Sequence, residues 1–149
     1  MIIGQGGIAL IKEFEGCKLS AYQCPAGIWT IGIGSTHYGD GTPVTKGRTL
    51  PTEKAAIALL AATIGQFEKA VNAMNVELTQ NEFDALVCLC YNIGAGNFLK
   101  STLVKMLKAG DDKAEIAQQF LRWDKAGGKS LAGLTRRRNA EAELFSSND

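Results

Sequence analysis

The chain has no long apolar run. No stretch approaches the ~18 residues of a membrane span. Residues 1–14 lack a basic lead before an apolar segment, and Lys12 and Glu13 interrupt them early. A secretory leader and a membrane anchor are therefore not expected. Histidine is nearly absent. The single His37 lies in a Gly-rich loop with no Cys or carboxylate cluster at metal-ligand spacing, so no metal and no cofactor is expected. The four cysteines, Cys17, Cys24, Cys88 and Cys90, match no zinc ribbon or finger. On a helix Cys88 and Cys90 would point about 200° apart. In a chain of 149 residues, 46% of them apolar, a normal core makes a disulfide framework unnecessary and reduced thiols are expected. A Cys17–Cys24 bridge across the base of a hairpin is the one pairing considered, as an oxidative off-switch.

What is present is an unevenly spread charge. The net charge is +1, but residues 122–138 hold Arg122, Lys125, Lys129, Arg136, Arg137 and Arg138 against Asp124, a local +5. Such a stretch suits weak contact with an anionic surface, such as cell-wall polymer or acidic lipid, or is a solvated helix face. Nucleic acid is not expected as a partner, because the stretch lacks interleaved aromatics.

Ile3, Gly7, Leu10, Ile11 and Phe14 fall at helical spacing, which predicts an amphipathic helix over residues 2–14 that Gly16 ends. Residues 18–48 are strand formers punctuated by glycine and predict hairpins. From residue 51 the pattern is helical. One long helix is expected over Ala55–Met74, loosened at Gly65. Thr79-Gln-Asn-Glu82 is a capping box opening a helix through about Tyr91. Further helices are expected over 97–109, 112–123 and 134–146, with Gly127-Gly128 a loop. The fold class is α+β in one domain, 1–149: a small β-hairpin lobe (15–50) follows the first helix, and 1–14 with 51–149 form the helical lobe. A cleft is expected where two lobes meet.

Glu15 stands at the C-terminal end of the first helix. The helix dipole there disfavours a carboxylate and favours the protonated acid, as a general acid requires. By position alone it is outweighed by an ordinary solvated helix-end glutamate. The hairpin Ala21–Gly34 admits two registers. A two-residue loop would pair Cys24 with Trp29. A three-residue loop, Pro25-Ala26-Gly27, would pair Cys24 with Ile28 and put Tyr22, Cys24 and Thr30 on one face, with Gly27 in the left-handed position. The second is favoured. Trp29 and Trp123 are candidates for sugar stacking and equally for core packing.

Glu15, eight residues, Cys24, five residues, Thr30 and then Ile31-Gly-Ile-Gly34 resemble the motif of the phage-type lysozymes, the endolysins of glycoside hydrolase family 24. Phe14-Glu15-Gly16, Tyr91-Asn-Ile-Gly94, Ser101-Thr-Leu103, Arg122-Trp123 and Gly133-Leu-Thr-Arg-Arg-Arg138 extend the similarity through most of the chain. The resemblance implies a lysozyme-like fold and a monomer. The expected partner is the glycan of peptidoglycan, and the expected reaction is hydrolysis of its β-1,4 bond between N-acetylmuramic acid and N-acetylglucosamine. It implies synthesis in the bacterial host's cytoplasm and action on the wall after another factor opens the way.

It implies Glu15 as general acid and Thr30 as the residue that helps place the attacking water. Cys24 stands at the second catalytic position, which is Asp in many members. Tyr22, Tyr91, Asn92 and Ser101 are implied as substrate-binding. Arg137, also taken with the substrate-binding residues, falls near an arginine expected to pair with the catalytic glutamate. Cys24 is a departure, since glycosidases ordinarily use two carboxyl groups. Three roles are open to it: a thiolate stabilising an oxocarbenium-like centre, a group orienting water with Thr30, or a nucleophile. The water-orienting and electrostatic role, with inversion, is favoured. A lytic transglycosylase and a non-catalytic wall-binding module are the competing readings.

Overall fold

A computed structural model describes residues 1–149, which divide into two compact units: Ile11–Gly65, and Met1–Leu10 with Gln66–Asp149. Helix α1 (Gln5–Glu15) begins in the second unit and ends in the first. It starts three residues later than the apolar spacing suggests. The reason is a cap supplied from far along the chain: the N–H groups of Gly4 and Gly7 donate to the two carboxylate oxygens of Asp84, at 2.9 Å each. Asp84 is 1% exposed and also accepts from Gln80 Nε2 at 2.7 Å. At the other end, Gly16 N–H closes on Lys12 O at 2.9 Å with a positive φ of 70°.

In the unit Ile11–Gly65, strands β1 (Lys18–Gln23) and β2 (Trp29–Gly32) form an antiparallel hairpin. Helix α2 (Glu53–Thr63) is capped by the Thr52 hydroxyl, which accepts from Ala55 N–H at 3.1 Å. Ile31, Val44 and Leu59 form the core, and Ala21, Trp29, Tyr38 and Leu50 pack against it. A Cβ on Gly32 would stand 3.3 Å from that of Ala56, so its absence lets α2 lie close on the hairpin. Secondary structure changes character near residue 50, but this packing carries the compact unit on to Gly65.

The second unit is helical. It contains α3 (Gly65–Asn72), α4 (Gln80–Ile93), α5 (Ala95–Leu99), α6 (Thr102–Ala109), α7 (Lys113–Gln119), a 3-10 turn (Phe120–Trp123) and α8 (Ala132–Ser146). The capping box at Thr79 and Glu82 has both of its hydrogen bonds. Several sequence expectations are corrected here. Ala55–Met74 is two helices, α2 and α3, meeting at Ile64–Gly65. The span 97–109 is also two, because Ser101 caps α6 through Val104 N–H. The helix expected over 112–123 is α-helical only to Gln119 and then tightens into the 3-10 turn. Gly127-Gly128 is a loop as expected, and it forms the tip of a short hairpin, β3 (Lys125–Ala126) with β4 (Lys129–Ser130), both glycines having positive φ. The core is built from Phe83, Leu86, Leu89, Phe98, Leu103, Ile116, Phe120 and Phe145. Phe120 and Phe145 pack with ring centroids 5.5 Å apart.

Candidate active site

The hairpin takes the three-residue loop. Cys24 N–H donates to Ile28 O at 2.9 Å and Gly27 N–H to Cys24 O at 2.8 Å, with Gly27 at φ 79°. Tyr22 stands opposite Thr30, and Gln23 opposite Trp29. Alternation then sorts the side chains. Ala21, Trp29 and Ile31 face the core of the unit. Tyr22, Cys24 and Thr30 occupy the other face. Trp29 is therefore a core residue.

Glu15 joins this hairpin through Gly34. A Cβ on Gly34 would lie 2.6 Å from Glu15 Oε2 and 2.8 Å from its Cδ, so the carboxyl rests directly on the Gly34 backbone. Gly34 also has φ 74°. The second glycine of Ile31-Gly-Ile-Gly34 thus makes room for the acid. Tyr22 reports the same grouping. Burial first, and then the nearby charges of Glu15 and Cys24, push its phenol above the ordinary tyrosine value. The Lys18 ammonium lies 5.0 Å from the Tyr22 ring centroid. Thr30 is 4% exposed, and its hydroxyl donates to Ile28 O at 3.0 Å. With its proton so committed, Thr30 Oγ1 faces any further partner as an acceptor.

Cys17 and Cys24 flank opposite ends of β1, roughly 20 Å apart at the strand rise. They cannot bridge, and all four thiols are free. Cys88 and Cys90 are buried in α4. Cys88 donates to Gly7 O at 3.4 Å, and burial pushes the Cys90 thiol up to about 12.

The remaining expected residues lie in the helical unit. Tyr91 is half-buried, edge-on to Phe67 with centroids 5.2 Å apart. Asn92 is exposed and accepts from Arg138 Nη2 at 2.8 Å. Ser101 is 5% exposed and its hydroxyl is used twice, donating to Phe98 O at 2.6 Å and accepting from Val104 N–H at 3.2 Å. Arg137 is 5% exposed, with its Nε 3.2 Å from Glu141 Oε1. Burial of Arg137 and Arg138 around Glu141 removes two cations from the basic stretch. The exposed ones are Arg122, Lys125, Lys129 and Arg136. Arg122 and Trp123 line a cavity of about 130 Å³ with Thr102, Leu103 and Gln119. No three His, Cys, Asp or Glu side chains are grouped to hold a metal ion.

Sequence reasoning did not single out Gly34 as the seat of Glu15, nor Asp84, nor Glu141. Only Glu141 left a local trace, standing three and four residues after two arginines.

A helix-rich chain whose main sheet is a small two-stranded hairpin, carrying an acid against a Gly-x-Gly strand end, has a lysozyme-like architecture. The family described as phage lysozyme matches residues 12–141. An endolysin of Acyrthosiphon pisum secondary endosymbiont phage 1 is 43% identical over 155 residues, covering 99% of each chain. Two solved structures share the fold. One is an endolysin from Escherichia coli O157:H7 phage FAHEc1, with TM-score 0.87 and 40% identity over 98% of this chain and 94% of that one. The other is the muramidase domain of SpmX from Asticaccaulis excentricus, with TM-score 0.86 and 37% identity over 99% of each. The chain belongs to the phage lysozyme family, and is a peptidoglycan-hydrolysing enzyme of the endolysin kind. None of its helices is long and apolar enough to cross a membrane.

Proposed function

We propose that the chain is an N-acetylmuramidase that hydrolyses the β-1,4 bond between N-acetylmuramic acid and N-acetylglucosamine, with Glu15 as general acid. The observation that carries this reading is the seat of the Glu15 carboxyl on Gly34, at the end of the hairpin that bears Tyr22, Cys24 and Thr30 on one face. Glu15 protonates the glycosidic oxygen as the bond to the anomeric carbon lengthens. Thr30 receives a hydrogen bond from the attacking water, because its own proton is given to Ile28 O. That leaves a water lone pair to aim at the anomeric carbon. Cys24 helps to orient the water beside the oxocarbenium-like centre; the water attacks the face opposite the leaving group and releases its proton to solvent, so the configuration inverts.

Tyr22, Tyr91 and Asn92 are the proposed glycan contacts, each having a polar group on an exposed or half-buried side chain. Ser101 and Arg137 stay in the proposed site, Ser101 as the cap of α6 and Arg137 as the arginine that the family resemblance pairs with the catalytic glutamate. The Ser101 hydroxyl is taken up by two backbone groups, and Arg137 is buried against Glu141.

The test is turbidity clearing of chloroform-treated Gram-negative cells by wild type and Glu15→Gln, with mass spectrometry of the released muropeptides. Loss of clearing in the variant, and reducing N-acetylmuramic ends from the wild type, are expected. Anhydro ends would mean a lytic transglycosylase. Clearing by Glu15→Gln at the wild-type rate would remove Glu15 from the chemistry.

A further inference from the structure

Asn92 is backed by a pair of fully buried charges. Arg138 and Glu141 are both 0% exposed. Arg138 Nη2 donates to Glu141 Oε1 at 3.0 Å and to Asn92 Oδ1 at 2.8 Å, and Arg138 Nε lies 2.9 Å from Glu141 Oε2. The same carboxylate meets Arg137 Nε at 3.2 Å. A guanidinium has donors and no acceptor, so chemistry fixes which amide atom faces it: the carbonyl oxygen of Asn92. The –NH2 on the other branch of that plane is left to the exposed surface of α4. Desolvating two opposite charges is a costly way merely to join α4 to α8, since packed apolar side chains fill such a space at least as well. A planar fork that also reaches an exposed amide does something that apolar packing cannot. It sets the direction of a donor.

We infer that Arg138 and Glu141 are positioning residues that hold the Asn92 –NH2 outward as a donor to an amide carbonyl oxygen of the wall polymer. The inference rests on the muramidase reading and names the chemistry that Asn92 recognises there. A carbonyl oxygen accepts and never donates, so it complements a group fixed as donor, whereas a hydroxyl would fit either orientation. Peptidoglycan offers such carbonyls on its N-acetyl groups and on its stem peptides.

Asn92→Asp tests this with little change of shape. It keeps an oxygen for Arg138 and replaces the –NH2 by a second oxygen. On soluble peptidoglycan strands the expected result is an unchanged Tm, an unchanged kcat and a KM raised about tenfold, the size of one lost hydrogen bond. Arg138→Lys keeps a cation for Glu141 but loses the fork. It is expected to raise KM similarly, and the double variant is expected to add nothing further. Strands stripped of stem peptides by an amidase, and strands chemically de-N-acetylated, identify the source: the missing carbonyl is the one whose removal makes wild type and Asn92→Asp equal. Equal KM values on intact strands overturn the inference, as does an Arg138→Lys variant that loses Tm with KM unchanged. Glu15→Gln tests the muramidase reading separately. Loss of clearing there, with an unaltered KM in Asn92→Asp, sinks the present inference alone.

Discussion

Gly34→Ala is the sharpest perturbation of the Glu15 seat. Two costs come with it and they can be separated. The first is backbone strain. Gly34 has φ 74°, and a Cβ in that region costs about 1–2 kcal/mol. In a chain of this size each kcal/mol lowers Tm by about 2–4 °C. The second is collision. The new methyl would lie 2.6 Å from Glu15 Oε2, and ordinary contact begins at 3.4 Å, so the carboxyl must retreat by about 0.8 Å. A displacement near 1 Å in a group that must reach the glycosidic oxygen costs on the order of 10²-fold in rate. Gly47→Ala is the control. Gly47 has φ 83° and nothing within 4 Å of a Cβ, so it carries the strain without the collision. Circular dichroism melts are expected to show similar losses of Tm for the two variants. Wall clearing, measured well below both transitions, is expected to fall about 10²-fold for Gly34→Ala and to stay near wild type for Gly47→Ala. If Gly34→Ala clears as fast as Gly47→Ala, the contact with Gly34 does not position the acid and the reasoning fails.

Two further expectations concern the hairpin face. Cys24→Ser is expected to lower clearing strongly while Cys24→Asp keeps it, because aspartate supplies the second carboxyl group that glycosidases ordinarily use and serine does not. A wild-type rate for Cys24→Ser, measured on the same walls, would leave the thiol without a catalytic part. Tyr22 is expected to ionise above the ordinary tyrosine value in a spectrophotometric titration. Its folded value is raised, so the neutral phenol favours the folded chain. That contribution is fully present below the ordinary tyrosine value near 10 and is lost as pH climbs through the higher folded value. In Glu15→Gln the Tyr22 transition should move partway back down, since one of the two charges opposing the phenolate is gone. An unmoved transition would mean that the two groups are not neighbours.

The features legible in the sequence are those whose physics is local. A capping box needs four consecutive residues, and Thr79–Glu82 was readable because both of its hydrogen bonds lie inside that window. The hairpin register was readable for the same reason. Once Gly27 takes the left-handed corner of a three-residue loop, alternation alone decides that Tyr22, Cys24 and Thr30 share a face. Helix ends were less legible. The start of α1 is set by Asp84, about 80 residues away, and no pattern within Met1–Gly7 announces a cap borrowed from α4. The break at Ile64–Gly65 was legible only as a loosening at Gly65, and the one at Lys100–Ser101 was missed, because apolar periodicity runs straight through both. A serine hydroxyl turned to the backbone ends one helix and begins the next without interrupting the pattern.

Charge is where counting by residue type misleads most. Six basic residues over 122–138 read as one +5 surface, yet two of them are interior groups closed around Glu141, which lies just outside the counted window. The spacing was informative all the same. Arg137 and Arg138 precede Glu141 by four and three residues, and on a helix both intervals bring side chains together. An acidic residue at that distance from two arginines should therefore be subtracted from any surface tally before a binding role is read into it. Subtracting it here changes the character of the region. The exposed cations reduce to Arg122, Lys125, Lys129 and Arg136, a looser set than a contiguous basic helix face. Arg138, no longer available to an anionic surface, instead donates to the Asn92 amide oxygen. A stretch that looked like nonspecific electrostatics thus contains a directional device, and its function is to be sought in the geometry of one exposed amide rather than in net charge.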